Sequence, residues 1–355
     1  SQLTPSNKEI KFTTGITRAT PSTTANLTAF DVYAFNHSDN STYIDGISFT
    51  GTTAAGFTGA TTCYWPESGS LDFYAIAPGK SAITTTDSGE GITGTDKKFS
   101  YTASETNGSQ VDLMIANNLT EQAKPGDGAS NPSLTFNHLL SQIVFKGYVE
   151  STAGLTVKIK SVTIYNVQNK GSWDAGTLTS GGEKKNYAVG LSYDSGNDYV
   201  TLGTTAADIT AADGALMLIP QQLTAWKATG DDKVTISVND SGDKNAYIAI
   251  ELTAQNGDDY VVGSKTGDDI TYKTVYFPLA TPAAGAIDAS DDAGWLAGKR
   301  YVYTLHFGAD TSSTGGTEDG LGYGDDGTAE EISATAITLT ATVTDWEDRN
   351  QTIDF

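Results

Sequence analysis

Leu155-Thr-Val-Lys-Ile-Lys-Ser-Val-Thr-Ile-Tyr-Asn-Val167 alternates apolar and polar side chains with a period of two. Leu155, Val157 and Ile159 fall on one face and Thr156, Lys158 and Lys160 on the other, the pattern of a half-buried strand. The phase shifts at Ser161-Val162, as a β-bulge shifts it. A second run, Thr335–Val343, alternates without a break, Ile337, Leu339, Ala341 and Val343 opposing Thr338, Thr340 and Thr342. Outward from these two runs, strand candidates recur along the chain, separated by Gly/Asp/Asn/Ser clusters that read as turns. They include Leu27–Phe35, Thr42–Phe49, Thr62–Trp65, Leu71–Ala77, Phe99–Tyr101, Val111–Ala116, Tyr187–Leu191, Tyr199–Leu202, Ala215–Ile219, Lys233–Val238, Ala246–Leu252, Thr271–Leu279 and Arg300–Phe307. Helix is expected only as a turn at Leu119–Ala123 and a short stretch at Ala289–Leu296.

Thr and Gly are abundant, Ser, Asp and Tyr are plentiful, and Leu, Glu, Lys and Arg are scarce for this length, which favours strands and turns. The pattern predicts an all-β protein of two antiparallel β-sandwiches in series. The longest apolar-rich stretch of the first half, Leu134–Val149, holds the expected change of domain, dividing the chain into 1–136 and 137–355. Gly308–Glu330 is acidic and glycine-rich and reads as a loop.

Composition excludes several classes of function. The chain of 355 residues carries a net charge of −22, which argues against nucleic acid, whose phosphates need clustered Lys and Arg. No apolar run approaches the roughly 18–20 residues of a membrane-spanning helix. A secretory signal is expected to have been removed or left out. Cys63 is the single cysteine, so no intramolecular disulfide forms.

The residues offer little chemistry. His37, His138 and His306 lie far apart, each in or beside a predicted strand, and none stands at metal-ligand spacing from another. No nucleophile elbow, P-loop, dinucleotide fingerprint or zinc-protease motif occurs. No catalytic, cofactor-binding or metal residue is assigned. The Gly-Asp-Asp segments at 230–232, 257–259, 267–269 and 324–326 lack the ordered oxygen spacing of a calcium loop and read as turns. Tyr64-Trp65-Pro66 offers either a sugar-stacking platform or a core residue between sheets, and Trp226 is a second aromatic candidate.

The opening segment is different. Glu9-Ile-Lys-Phe-Thr-Thr-Gly-Ile16 reads as one short strand, with Ile10, Phe12 and Ile16 on one face. Thr17-Arg18-Ala19-Thr20-Pro21-Ser22 follows at once, and Arg18 is one of three arginines, with Arg300 and Arg349. A strand tethered through a linker bearing one arginine can be cut away by a protease. Burying each of its three apolar side chains is worth about 1.5–3 kcal/mol, so losing them opens a groove that another strand can fill.

Further segments fall in a fixed order: Leu27-Thr-Ala-Phe-Asp-Val-Tyr-Ala-Phe35; Tyr64-Trp-Pro66 with Leu71-Asp-Phe-Tyr-Ala-Ile-Ala-Pro78; Asp112-Leu-Met-Ile-Ala116; Phe136-Asn-His-Leu-Leu-Ser-Gln-Ile143; Leu218-Ile-Pro-Gln221; Tyr301-Val-Tyr-Thr-Leu305; and Val343-Thr-Asp-Trp346. With the opening strand and Thr17-Arg18-Ala19, this order resembles the fimbrillin-like family, subunits of Bacteroidales type V pili and their relatives. The resemblance runs nearly end to end. It implies two tandem transthyretin-like sandwich domains and a non-enzymatic pilin or adhesin. It further implies export as a lipoprotein anchored in the outer membrane, with the lipid-bearing cysteine before Ser1.

Cleavage after an arginine by a trypsin-like or gingipain-like protease is implied as well, with loss of the first strand and its replacement by another subunit's terminal segment. By position, Arg18 and Ala19 flank the implied cut, and Ile10, Phe12 and Ile16 lie in the released strand. The implied partners are other pilin subunits, that protease, and a host or bacterial surface receptor that the residues do not identify. Only nine residues, Glu347–Phe355, follow Trp346. Either Thr335–Val343 helps to donate a strand, or the chain is a tip or accessory subunit that only accepts one. The competing reading is a monomeric cell-surface glycan-binding lipoprotein.

Overall fold

Period-two alternation becomes strand wherever one face can be buried. The computed structural model describes residues 3–16, 27–83, 91–94, 96–223, 246–278, 294–308, 322–323, 329–330 and 337–345. Among them the chain is all-β, with one 3-10 turn at Lys80–Ala82. The first strands are β1 (Pro5–Glu9), β2 (Lys11–Ile16), β3 (Ala29–Asn36), β4 (Thr42–Thr52), β5 (Gly56–Gly59), β6 (Tyr64–Pro66), β7 (Ser70–Ala77), β8 (Lys98–Thr102), β9 (Met114–Ala116), β10 (Gln122–Ala123) and β11 (Ser133–His138). There follow β12 (Ser141–Val149), β13 (Thr156–Asp174), β14 (Thr177–Ala188), β15 (Val200–Thr201), β16 (Ala207–Asp208), β17 (Leu216–Leu218) and β18 (Gln221–Gln222). The last are β19 (Tyr247–Asn256), β20 (Asp259–Val262), β21 (Ser264–Thr266), β22 (Asp269–Thr271), β23 (Lys273–Pro278), β24 (Gly294–Trp295), β25 (Lys299–Phe307), β26 (Gly322–Tyr323), β27 (Ala329–Glu330) and β28 (Ile337–Asp345).

The first sheet closes on itself. β7, β3, β4, β5, β2, β11 and β9 are hydrogen-bonded in that order, and β9 pairs back onto β7. One apolar cluster fills it, dominated by phenylalanines such as Phe30, Phe49, Phe57 and Phe136. The opposite face of β3 and β7 is buried as well, because Tyr33, Phe35 and Ile76 belong to a second cluster.

That second cluster lies between two sheets. β12, β25 and β28 form the body of one, with β12 and β25 parallel over Gln142–Val149 and Arg300–Phe307. β14, β13, β19 and β23 form the body of the other. Phe145, Leu305 and Phe307 from the first sheet meet Val157, Ile159 and Ile250 from the second in one buried core. Two facing layers, antiparallel except for the β12–β25 pair, make a β-sandwich around such a core.

Leu155–Val167 behaves as its alternation requires. Val157 and Ile159 are buried, and the register slips between Ile159 and Ser161, where the phase change falls. The strand does not stop at Val167, however. It runs to Asp174, and its far end pairs with β8, where Trp173 stacks on Phe99 at 5.1 Å. β13 therefore carries its pairing from the sandwich to the outer side of the closed sheet.

Other expectations are corrected. Glu9–Ile16 is two strands in different sheets, broken at Ile10. Leu134–Val149 is likewise two strands, β11 and β12, with Leu139 and Leu140 between them. Leu119–Ala123 is not helical: Glu121 takes a positive φ of 52° and β10 pairs with β7. Of Ala289–Leu296 only the end is described, and there Gly294-Trp295 is strand, paired with β18. Lys233–Val238 and most of Gly308–Glu330 lie outside the described residues.

Candidate functional site

The site begins with the two strands that open the chain. β1 lies antiparallel to β6, with Glu9 opposite Tyr64, and the Ile10 amide donates to the Cys63 carbonyl at 2.7 Å. At Ile10 the chain crosses into the closed sheet. β2 then pairs antiparallel with β5 through Lys11 and Phe12, and parallel with β11 from Thr13 to Ile16. β2 is the strand through which β5 and β11 are joined.

Alternation explains what β2 and the residue just before it bury. Ile10 and Phe12 are both 0% exposed and belong to the cluster inside the sheet. The Phe12 ring lies 5.2 Å from Phe49, and also 5.2 Å from Phe73 in an edge-on arrangement. Such aromatic geometry adds about 0.5–1.5 kcal/mol to the burial itself. The Ile16 backbone stands opposite Phe136, while its side chain, Arg18 and Ala19 lie outside the described residues.

Three polar contacts outside the pairing hold the segment down. Lys8 donates from Nζ to the carbonyls of Pro125 and Gly126 at 2.8 and 2.7 Å, and the Thr13 amide donates to the Pro132 carbonyl at 3.0 Å. These tie the opening strands to the loop between β10 and β11. Cys63 sits at the edge of the same cluster. Burial, and after it the Glu9 carboxylate, pushes its thiol pKa up.

The remaining candidates do not converge. His37 Nδ1 lies 2.9 Å from Asp72, His138 Nδ1 2.7 Å from Asp112, and His306 Nε2 3.3 Å from Glu150. Each histidine thus sits against its own carboxylate. The Asp72 hydrogen bond, and then its charge, raises the His37 pKa. Among the described residues, no three His, Cys, Asp or Glu side chains are grouped to hold a metal. Trp65 is 1% exposed and packs edge-on against Phe73 at 5.6 Å, so it is a core residue and not a sugar platform. Trp226 lies outside the described residues.

Ile10 and Phe12 were readable from the sequence, but Lys8 and Cys63 were not. Both act through partners that chain folding brings close and that no local spacing announces. A family model described as fimbrillin-like matches residues 17–346, most of the chain, and the chain belongs to that family. Membership makes it a non-enzymatic protein of fimbriae, at the cell surface and in company with other subunits.

Among solved structures, a fimbrial protein from Bacteroides vulgatus is similar at 13% identity and a TM-score of 0.53, over 96% of this chain and 100% of that one. A candidate cell adhesion protein from Bacteroides uniformis is similar at 16% identity and 0.51, over 95% and 99%. Another from Bacteroides ovatus is similar at 15% and 0.51, over 98% and 99%. At such identities the likeness is one of fold. No curated protein matches the chain.

Proposed function

We propose that this chain is a structural subunit, pilin or adhesin, of a cell-surface pilus, and that it assembles by protease-triggered strand exchange. A trypsin-like or gingipain-like protease cuts after Arg18, leaving Ala19 as the new start. Residues through Ile16 depart, and a terminal segment of another subunit takes their place. In this reading the precursor is a lipoprotein held in the outer membrane, and the chain divides into sandwich domains at 1–136 and 137–355.

One observation carries the reading. The strand joining β5 to β11 buries Phe12 completely, and Ile10, at the break just before it, is buried with it. Its loss would remove about 1.5–3 kcal/mol per side chain and leave two strand edges without partners. A replacement strand restores both terms through β-augmentation. Because a cut peptide bond does not re-form under these conditions, assembly would wait for the protease and then run one way.

Limited digestion tests it. Wild-type protein treated with a small amount of trypsin is expected to start at Ala19, release the opening peptide, and build a ladder of oligomers on incubation. Arg18→Ala is expected to stay uncut at that position and monomeric. A wild-type protein that loses the peptide yet stays monomeric at high concentration would overturn strand exchange. Oligomers of equal size from uncut Arg18→Ala would overturn the role of cleavage.

A further inference from the structure

The outward face of β13 carries a cluster that neither core uses. Lys158 and Lys160 alternate with the buried Val157 and Ile159, so their side chains leave the sheet on the solvent side. Lys158 Nζ lies 4.6 Å from the centre of the Tyr199 ring, and Lys160 Nζ lies 4.8 Å from that of Tyr272. Tyr193 donates its hydroxyl to the Lys160 carbonyl at 3.0 Å. Tyr260 stands opposite Gln255, which itself stands opposite Thr156 of β13, and the Tyr272 pKa is raised by burial and then by Asp198, Tyr199, Tyr260 and Glu251. Four tyrosines from two separate segments therefore gather over two lysines of one strand.

Both segments are fixed by the fold. The loop bearing Tyr193 and Tyr199 is drawn tight by the Asp194 amide on the Tyr199 carbonyl, 2.9 Å, and by the Thr201 amide on the Asp194 carboxylate, 3.1 Å. Between Tyr260 and Tyr272 the chain bends at Gly263, φ +78°, into the β21–β22 hairpin, and a Cβ at Gly263 would stand 2.6 Å from the Thr271 carbonyl. A side chain would not fit there. Tyrosines on such supports lose little freedom on binding, which favours them as contact residues.

The face offers exposed aromatic surface and no net charge. Tyr193 is 48% exposed. The two ammonium groups are balanced locally by Asp198, 3.6 Å from Lys160, and by Glu251 near Tyr272. An anionic ligand would meet this balance and, beyond it, a chain of net charge −22. A neutral ligand with many hydroxyls and an apolar flank meets no such obstacle.

We infer that this face, Lys158, Lys160, Tyr193, Tyr199, Tyr260 and Tyr272, is a binding site for neutral oligosaccharides. The C–H faces of the sugar rings lie on tyrosine rings, and sugar hydroxyls exchange hydrogen bonds with Lys160, Asp198 and the tyrosine hydroxyls. The site is independent of the opening strands and needs no cleavage.

The test is an array of neutral oligosaccharides of glucose, galactose, mannose and N-acetylglucosamine, with sulfated and sialylated counterparts, probed with the uncut full chain. Retention of neutral members is expected, weakened about tenfold or more by Tyr193→Ala and by Tyr272→Ala. Tyr193→Phe keeps the ring and is expected to keep most of the binding. Thermal melting checks each variant, and Tyr193, on the exposed rim, remains readable should Tyr272→Ala unfold. Retention of no neutral oligosaccharide, of charged ones alone, or retention that survives loss of the Tyr193 ring overturns the proposal. Strand exchange by the same variants after trypsin is expected to be unchanged, which separates failure here from failure of the assembly reading.

Discussion

Cys63 is placed to report on the opening strands, which run beside it. Its carbonyl accepts the Ile10 amide, its side chain packs at the edge of the same cluster, and the Glu9 carboxylate adds to burial in raising its pKa. Departure of residues through Ile16 removes the cover and the neighbouring charge together. A pKa raised in the covered state then falls back toward the ordinary thiol value, and the thiolate fraction at a fixed mildly alkaline pH rises. Thiol titration with an aromatic disulfide reagent is expected to run roughly tenfold faster after cleavage and peptide release than before, since access and thiolate fraction change in the same direction. The chain has a single cysteine, so the signal has one source. Equal rates before and after complete release would mean that the segment covers nothing at this edge. Arg18→Ala exposed to the same protease is the matched control.

Among the elements, β13 shows both what alternation reveals and where it stops. Its first half was legible because Val157 and Ile159 are buried while Lys158 and Lys160 are not, and the bulge announced itself as a phase change. Its second half, Gln168–Asp174, was not legible, because its apolar partner Phe99 comes from a strand about seventy residues earlier. Most of β14 was not legible for a related reason: only Leu178 and Tyr187 of its twelve residues are buried, and the expected strand Tyr187–Leu191 caught only its last two residues. The same limit hid the break at Ile10, since β6 and β5, the partners that separate β1 from β2, come from later in the chain. Trp173, 2% exposed, stacks on Phe99 and meets Tyr74 edge-on at 6.3 Å. It thereby joins the end of β13 to the outer side of the closed sheet. Trp173→Ala is expected to cost about 3–5 kcal/mol in chemical denaturation, the usual range for emptying a large aromatic site. Amide exchange is expected to quicken first at Phe99–Thr102 and Lys170–Trp173, with β4 and β19 little changed. A loss below about 1 kcal/mol, or exchange that quickens evenly, would show that this joint does not bear the load.

For the molecule as a whole, the polarity of the closed sheet leaves the direction of a replacement strand open. β2 runs antiparallel to β5 and parallel to β11, so β5 and β11 run opposite to each other. An incoming strand of either direction therefore gains one antiparallel and one parallel partner. Backbone pairing does not choose between directions, and the choice falls to side chains that must fill the space of Ile10 and Phe12 inside the sheet. The chain's own opening segment fills that space and should compete with a second copy for it. A synthetic peptide of residues 1–18, added in excess to cleaved protein from which the original has been removed, is expected to hold it monomeric. The same peptide carrying Phe12→Ala gives up about 3–5 kcal/mol of core packing, more than a hundredfold in affinity, and is expected to let oligomers form. Size-exclusion chromatography at a fixed protein concentration separates the outcomes. Should both peptides suppress assembly equally, the apolar anchor is not what the groove reads; should neither do so, subunits join through some other surface.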